Sequence, residues 1–216
     1  MKILLLSILS LMVSDCNNIK EVTLPEMEIK YVDLQDDKYE KSVFASGCFW
    51  CVEAIFESVE GVAEAISGYA GGNANDANYS MVSAGSTKHA EAVEVYYDPE
   101  IVSYNTLLEV FFGSHDPTTL NRQGPDAGTQ YRSTIFYKNK NEKELAEAYI
   151  KKLENDKVFN GDITTTLEPL TKFYDAEDYH QDYERRNPNQ PYVRSVSIPR
   201  LKRFQAKYPH LLKKDH

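Results

Sequence analysis

Cysteine is scarce in this chain of 216 residues: only Cys16, Cys48 and Cys51, too few for a disulfide scaffold and odd in number, so position matters more than count. Basic charge is short as well. The 24 Lys and Arg stand against 33 Asp and Glu, a net charge of −9, which argues against a protein that neutralises nucleic-acid phosphates. No apolar run approaches the roughly 20 residues of a membrane-spanning helix, and 10 Gly and 9 Pro are too few for a fibrous or low-complexity chain. What is present is a composition 42% hydrophobic and 12% aromatic, so a soluble globule of one domain with a short extension is expected.

The extension is N-terminal. Lys2 precedes an apolar stretch, Ile3–Val13, interrupted only by serines, which matches the core of a secretory signal and predicts a signal peptide over residues 1–15. Val13-Ser14-Asp15-Cys16 resembles the lipobox of bacterial lipoproteins, in which the cysteine is acylated, with Asp15 standing where that pattern has a small uncharged residue. Plain cleavage without a lipid is the other reading. Either predicts a protein of the bacterial cell envelope, periplasmic or surface-held, that meets the membrane only through a lipid on Cys16. From Asn17 to Glu40 the chain has seven acids, three lysines and one proline without sustained periodicity, the composition of a tether. Residues 16–40 are therefore read as anchor and tether, with a weak strand-like alternation at Glu28–Leu34, and residues 41–216 as the folded domain.

From Lys41 onward the periodicity alternates between strand and helix. Strands are predicted over Lys41–Ser46, Val62–Tyr69, Ala90–Tyr97, Tyr131–Tyr137 and the Thr-rich Ile163–Leu167. Helices are predicted over Phe49–Val59, Tyr104–Phe112 with Ser103 as cap, Glu142–Glu154, Glu177–Arg185 and Leu201–Lys207. Asn141 and Glu144 are spaced like a capping box at the head of the third helix. This order predicts one sheet packed against helices, an α/β (α+β) domain. Two long stretches, Ala70–Lys88 and Ser114–Gln130, fit neither period. Loops of that length in a compact domain are uncommon and often functional, so chemistry is sought there and at Gly47–Cys51.

Gly47-Cys48-Phe49-Trp50-Cys51 follows a predicted strand and opens a predicted helix. Unpaired N–H groups and the positive end of the helix dipole favour a thiolate there, which makes Cys48 a candidate nucleophile. Cys51 lies one helical turn away, close enough for a disulfide after modest unwinding. Three other readings compete: a zinc site, a thioredoxin-like redox pair, and two buried reduced thiols packed as small hydrophobes. Phe49 and Trp50 suit one wall of an apolar pocket beside the thiol, and suit core packing equally.

Alternation in His89–Tyr97 places Glu91 on one strand face with Val93, Val95 and Tyr97, and Ala90, Ala92, Glu94 and Tyr96 on the other. A carboxyl on an apolar face has its charged form disfavoured and can donate a proton near neutrality, so Glu91 is a candidate acid. The competing reading is a strand-end side chain reaching solvent past His89. Tyr79 and Tyr131 end the two long loops, but spacing alone does not choose among 15 tyrosines.

Five blocks in one order, GCFWC at 47–51, SGYAGG at 67–72, HAEAVEVYYDP at 89–99, HDPTTLNRQGPDAGTQYRS at 115–133 and FYDAEDYHQDY at 173–183, resemble the peptide methionine sulfoxide reductase A family, which reduces the S epimer of methionine sulfoxide. The resemblance implies a two-layer sandwich with a ferredoxin-like core and a mixed, mostly antiparallel sheet. It implies Cys48 as the nucleophile on sulfoxide sulfur, Glu91 as the acid, and Tyr79 and Tyr131 as hydrogen-bond donors to the departing oxygen. Phe49 and Trp50 would hold the substrate methyl group, and Asp126 and His180 would shape a polar wall. Loss of the oxygen leaves Cys48 as sulfenic acid, which condenses with a second thiol. Many members carry resolving cysteines near the C-terminus; no cysteine follows Cys51 here, so the resemblance implies a Cys48–Cys51 disulfide. An external dithiol would reduce it, thioredoxin in cytosolic members or an envelope equivalent here. No bound cofactor or metal is implied, and a monomer acting on free methionine sulfoxide or on oxidised proteins is expected. The alternative activity is a general C-x-x-C dithiol–disulfide oxidoreductase of the envelope, and a third possibility is a non-catalytic lipoprotein that binds through its long loops.

Overall fold

The computed structural model describes residues 33–214. The signal peptide, Cys16, most of the tether and all but the last two residues of Glu28–Leu34 lie outside the described residues. The strands are β1 (Glu40–Ser46), β2 (Val62–Ala70), β3 (Ala90–Tyr97), β4 (Arg122–Gln123), β5 (Asp126–Ala127), β6 (Ser133–Tyr137), β7 (Thr166–Pro169) and β8 (Phe173–Asp175). The helices are α1 (Phe49–Glu57), α2 (Tyr79–Ser83), α3 (Tyr104–Ser114), α4 (Lys140–Asn155), α5 (Tyr183–Arg186) and α6 (Ile198–Lys207). Six strands form one sheet in the order β7-β6-β1-β3-β2-β8, antiparallel throughout except for the parallel β6–β7 pair. Taken alone, β1-α1-β2-β3-α3-β6 with spatial order β6-β1-β3-β2 is the ferredoxin-like core, and β7 and β8 extend its edges. The fold is the expected mixed, mostly antiparallel sheet packed with helices.

The alternation in β3 sorts as the sequence implies. Val93, Val95 and Tyr97 join Phe44, Ile55, Phe56, Leu108 and Phe111 in the main core under α1 and α3, with the Phe44 and Phe56 rings stacked at 5.1 Å. Ala90 and Ala92 turn to the other face, in a small cluster with Val43, Ala45 and Phe136. Glu91 therefore enters the helix-covered side of the sheet, the side from which α1 begins.

Several boundaries move for identifiable reasons. Ser103 caps α3, accepting from Thr106 N, as expected. At α4 the pair is one turn-fraction earlier than Asn141 and Glu144: Asn139 accepts from Glu142 N at 2.9 Å and the Glu142 carboxylate accepts from Lys138 N at 2.7 Å. Both Asn/Glu pairs have the same spacing, and Glu144 instead meets Lys140 at 3.2 Å on the surface. Asn139→Ala is expected to cost about 1 kcal/mol, lowering the thermal midpoint by roughly 2–4 °C, whereas Asn141→Ala leaves it unchanged.

The helix expected over Glu177–Arg185 is broken. A 3-10 turn at Asp178–His180 is followed by extended Gln181 and by Asp182 at φ 54°, and only then by α5. Tertiary bonds override the local pattern. Gln181 spans Ser67, accepting from its N–H at 2.9 Å and donating to its carbonyl at 3.0 Å. Glu53, buried in α1, accepts from Asp182 N and from Ser67 Oγ, each at 2.7 Å. Thr129–Tyr131 likewise forms a 3-10 turn, so β6 starts at Ser133 rather than Tyr131, and the Thr-rich strand runs as β7, later than Ile163–Leu167. The first long loop contains α2 and the second the β4–β5 hairpin.

Candidate active site

The turn from β1 into α1 sets the thiol. Gly47 has φ 98°, and a Cβ there would stand 2.7 Å from Gln123 Cβ, so this corner accepts only glycine without rearrangement. Cys48 follows as the N-cap residue of α1, its carbonyl accepting from Cys51 N at 3.2 Å. The first N–H of the helix, that of Phe49, donates to Glu91 Oε2 at 3.1 Å. Glu91 is thus brought from β3 to the helix start beside Cys48, and the strand-end reading in which it reaches solvent is wrong: it is 2% exposed. Burial pushes its carboxyl up to about 8, with lesser contributions from Asp126 and Cys51, even though the Phe49 N–H favours the anion. Glu91 therefore carries its proton at pH 7.

Both thiols are free and buried. They hydrogen-bond to each other and titrate as a pair. The Cys51 thiol is pushed down by its Cys48 neighbour above all and by Arg200, Ser197 and Tyr192, against its burial. Burial pushes the Cys48 thiol well up. The helix start favours a thiolate at Cys48, and burial works against it. Cys48 is 6% exposed, and the adjacent N–H is spent on Glu91.

Tyr79, the first residue of α2, and Tyr131, in the turn before β6, both converge on this pair. Burial raises both phenols, and the charges of Glu91 and Cys48 raise them further, Tyr79 to about 12. Both are therefore neutral O–H donors next to thiol and carboxyl. Phe49 is completely buried, its ring between Tyr69 at 5.9 Å, Tyr79 at 6.3 Å and His180 at 5.0 Å. Trp50 is the partly exposed member of the aromatic pair. Its indole stacks on Tyr183 at 3.8 Å, and its Nε1 donates to His180 Nδ1 at 3.1 Å. Burial lowers the His180 pKa, so the ring is neutral and carries its proton on Nε2. His180 thus orients Trp50. Asp126 accepts from Tyr192 OH at 2.5 Å, and that hydroxyl lies 3.9 Å from Cys51 Sγ. All the described candidates, Cys48, Phe49, Trp50, Cys51, Tyr79, Glu91, Asp126, Tyr131 and His180, belong to this one site.

Tyr192 and Arg200 escaped notice in the sequence. Tyr192 is one tyrosine among 15 beyond the last recognisable block and leaves no signal. Arg200 does leave one. It shares the buried face of α6 with Phe204, and a cation on an apolar stripe needs partners: its Nε donates to Ser114 O at 2.8 Å and its Nη2 to Ser46 O at 3.0 Å, fastening the strand end that leads to Cys48.

Residues 40–212 match the model of the family described as peptide methionine sulfoxide reductase. The chain is 47% identical over 195 residues to peptide methionine sulfoxide reductase MsrA 2 of Synechocystis, covering 90% of this chain and 91% of that protein. It is 48% identical over 174 residues to MsrA 1 of Rhodopirellula baltica, covering 81% and 90%. Among solved structures, reduced Mxr1 from Saccharomyces cerevisiae superimposes with TM-score 0.66 at 36% identity, covering 76% of this chain and 92% of that one. Methionine sulfoxide reductase A of Corynebacterium diphtheriae gives TM-score 0.63 at 36% identity, covering 72% and 78%.

Proposed function

Because the chain belongs to the peptide methionine sulfoxide reductase A family and reduces methionine S-sulfoxide to methionine, we propose that Cys48 is its nucleophile and Cys51 its resolving thiol. The observation that carries this is the Glu91 carboxyl, protonated at pH 7 and bonded at 3.1 Å to the N–H of the residue after Cys48. Cys48, as thiolate, attacks the sulfoxide sulfur. Glu91 gives its proton to the oxygen, which Tyr79 and Tyr131 polarise, and the methyl group lies against Trp50 with Phe49 beneath. The bond just formed between Cys48 Sγ and the substrate sulfur and the S–O bond both break as the protonated oxygen passes to Cys48: methionine leaves with the electron pair of the thiolate, reduced, and Cys48 becomes a sulfenic acid. Cys51 then attacks Cys48 Sγ, a disulfide forms, and the hydroxyl leaves as water with the Cys51 proton. Tyr192 and Arg200, which favour the Cys51 anion, support this second attack. The disulfide returns to two thiols by exchange with an external thioredoxin-like dithiol. Simple disulfide exchange would give Glu91, Tyr79 and Tyr131 nothing to do.

Cys51→Ser tests the division of labour. With substrate and no reductant it is expected to release about one methionine per chain and then stall, leaving a sulfenic acid that a carbon-acid reagent traps. The wild type instead loses both thiols and traps none. Repeated turnover of Cys51→Ser with a thioredoxin-like dithiol at the wild-type rate would remove Cys51 from the cycle. We further propose that the domain acts as a monomer in the bacterial envelope after export, held by a lipid on Cys16; the mass of the mature N-terminus tests export and lipid together.

A further inference from the structure

Among the described residues, no protein group hydrogen-bonds the Tyr79 hydroxyl, so the phenol that faces the reacting oxygen is aimed by its backbone and ring contacts alone. Its helix, α2, has only five residues and its own cap, Asn78, which accepts from Met81 N at 3.1 Å. So short a helix does not hold itself in place. The Tyr79 N–H donates to Glu177 Oε1 at 3.1 Å, and the other oxygen of the same carboxylate accepts from Tyr69 OH at 2.8 Å. Tyr69 is fully buried in β2, its ring 5.9 Å from Phe49. The backbone of Glu177 also opens the turn that carries His180, whose N–H donates to the Glu177 carbonyl at 2.8 Å.

We propose that Glu177 is a positioning residue for the reduction: its carboxylate ties the first N–H of α2 to the rigid sheet through Tyr69 and so holds the Tyr79 phenol on the sulfoxide oxygen. This rests on the reductase mechanism above. Glu177 touches no reacting atom and acts through Tyr79. A displacement of about 1 Å in a polarising group costs up to roughly 100-fold in rate, and with Tyr131 still in place a smaller loss is expected.

The test is the rate of the oxygen-transfer step, read as methionine released in a single turnover without reductant, together with substrate affinity read from the fluorescence of Trp50, the chain's single tryptophan. Glu177→Ala is expected to slow the step about 10-fold while the Kd for a methionine sulfoxide peptide stays within about twofold. Glu177→Gln, whose amide accepts from Tyr79 N and donates to the Tyr69 oxygen, is expected to recover most of the rate. Tyr79→Phe and the double variant Glu177→Ala/Tyr79→Phe are expected to be equally slow, because the two residues act as one unit. The proposal is overturned by a Glu177→Ala rate equal to wild type, by losses that multiply in the double variant, by a Glu177→Gln as slow as Glu177→Ala, or by a defect confined to Kd. Should Glu177→Ala not fold, Tyr69→Phe removes the anchor alone. A loss of about threefold, absorbed by Tyr79→Phe, supports the proposal, and a wild-type rate overturns it. A Cys51→Ser chain that traps no sulfenic acid would instead reject the mechanism on which all of this rests.

Discussion

Cys48→Ser releases no methionine above background, a loss of about 10⁴-fold or more, because no other group here can take the oxygen. The reduction moves two electrons from a sulfur of the enzyme to the sulfur of the substrate. A serine oxygen cannot accept an oxygen atom to give a sulfenic acid, and it is a far weaker nucleophile at neutral pH. Cys51 survives in the variant but is 1% exposed, against 6% for Cys48, with its Sγ 3.9 Å from Tyr192 OH. Cys48→Ala adds a second readout. Cys48 is the largest of the influences that push the Cys51 thiol down, so losing it is expected to move thiolate absorbance to higher pH. Turnover by Cys48→Ser at a rate near wild type would place the chemistry on another group, and an unmoved thiolate titration would leave Arg200 and Tyr192 as what sustains the Cys51 anion.

What could be read in the sequence follows from the range of each cause. Alternation in β3 has a period of two and needs no knowledge of partners, so the side taken by Glu91 was legible; that this side is also where α1 starts was not, since it depends on β1, β3 and β2 lying as neighbours. The helix dipole argument at Cys48 is local, and it does not contain the fact that Glu91, 43 residues later in the chain (91 − 48), takes the first N–H of that helix. Glu177–Arg185 has helical periodicity, but Gln181 ties it to β2 and Glu53 ties it to α1 by bonds that no window of local sequence contains. Tyr79 and Tyr131 were placed by resemblance rather than by spacing. Tyr192 left no trace to read, and Glu177, though inside the block at 173–183, carries no local sign of its partners Tyr79 and Tyr69.

Glu91→Gln is expected to be both slower and more stable, and the pairing of those two effects is what identifies the carboxyl as an acid. Proton donation by a placed group contributes about 10²–10⁴-fold, and a glutamine keeps an oxygen to accept from Phe49 N but has no proton to give. In the wild type the rate of the first step falls as pH rises through about 8, where Glu91 ionises; the variant lacks that limb. The stability effect has a definite sign. The folded-state value lies above the unfolded 4.5, so folding holds a proton that the unfolded chain releases. Below pH 4.5 both states are protonated and there is no cost. From there up to about 8 each pH unit costs the fold about 1.4 kcal/mol, on the order of 3 kcal/mol at pH 7. Glutamine has no such cost, so Glu91→Gln should melt higher than wild type at pH 7 and alike at pH 4. A variant that melts lower at pH 7 would mean that the wild-type carboxyl is ionised there, and the proton for the sulfoxide oxygen would then have to come from Tyr79 or Tyr131, whose raised phenols hold theirs more tightly.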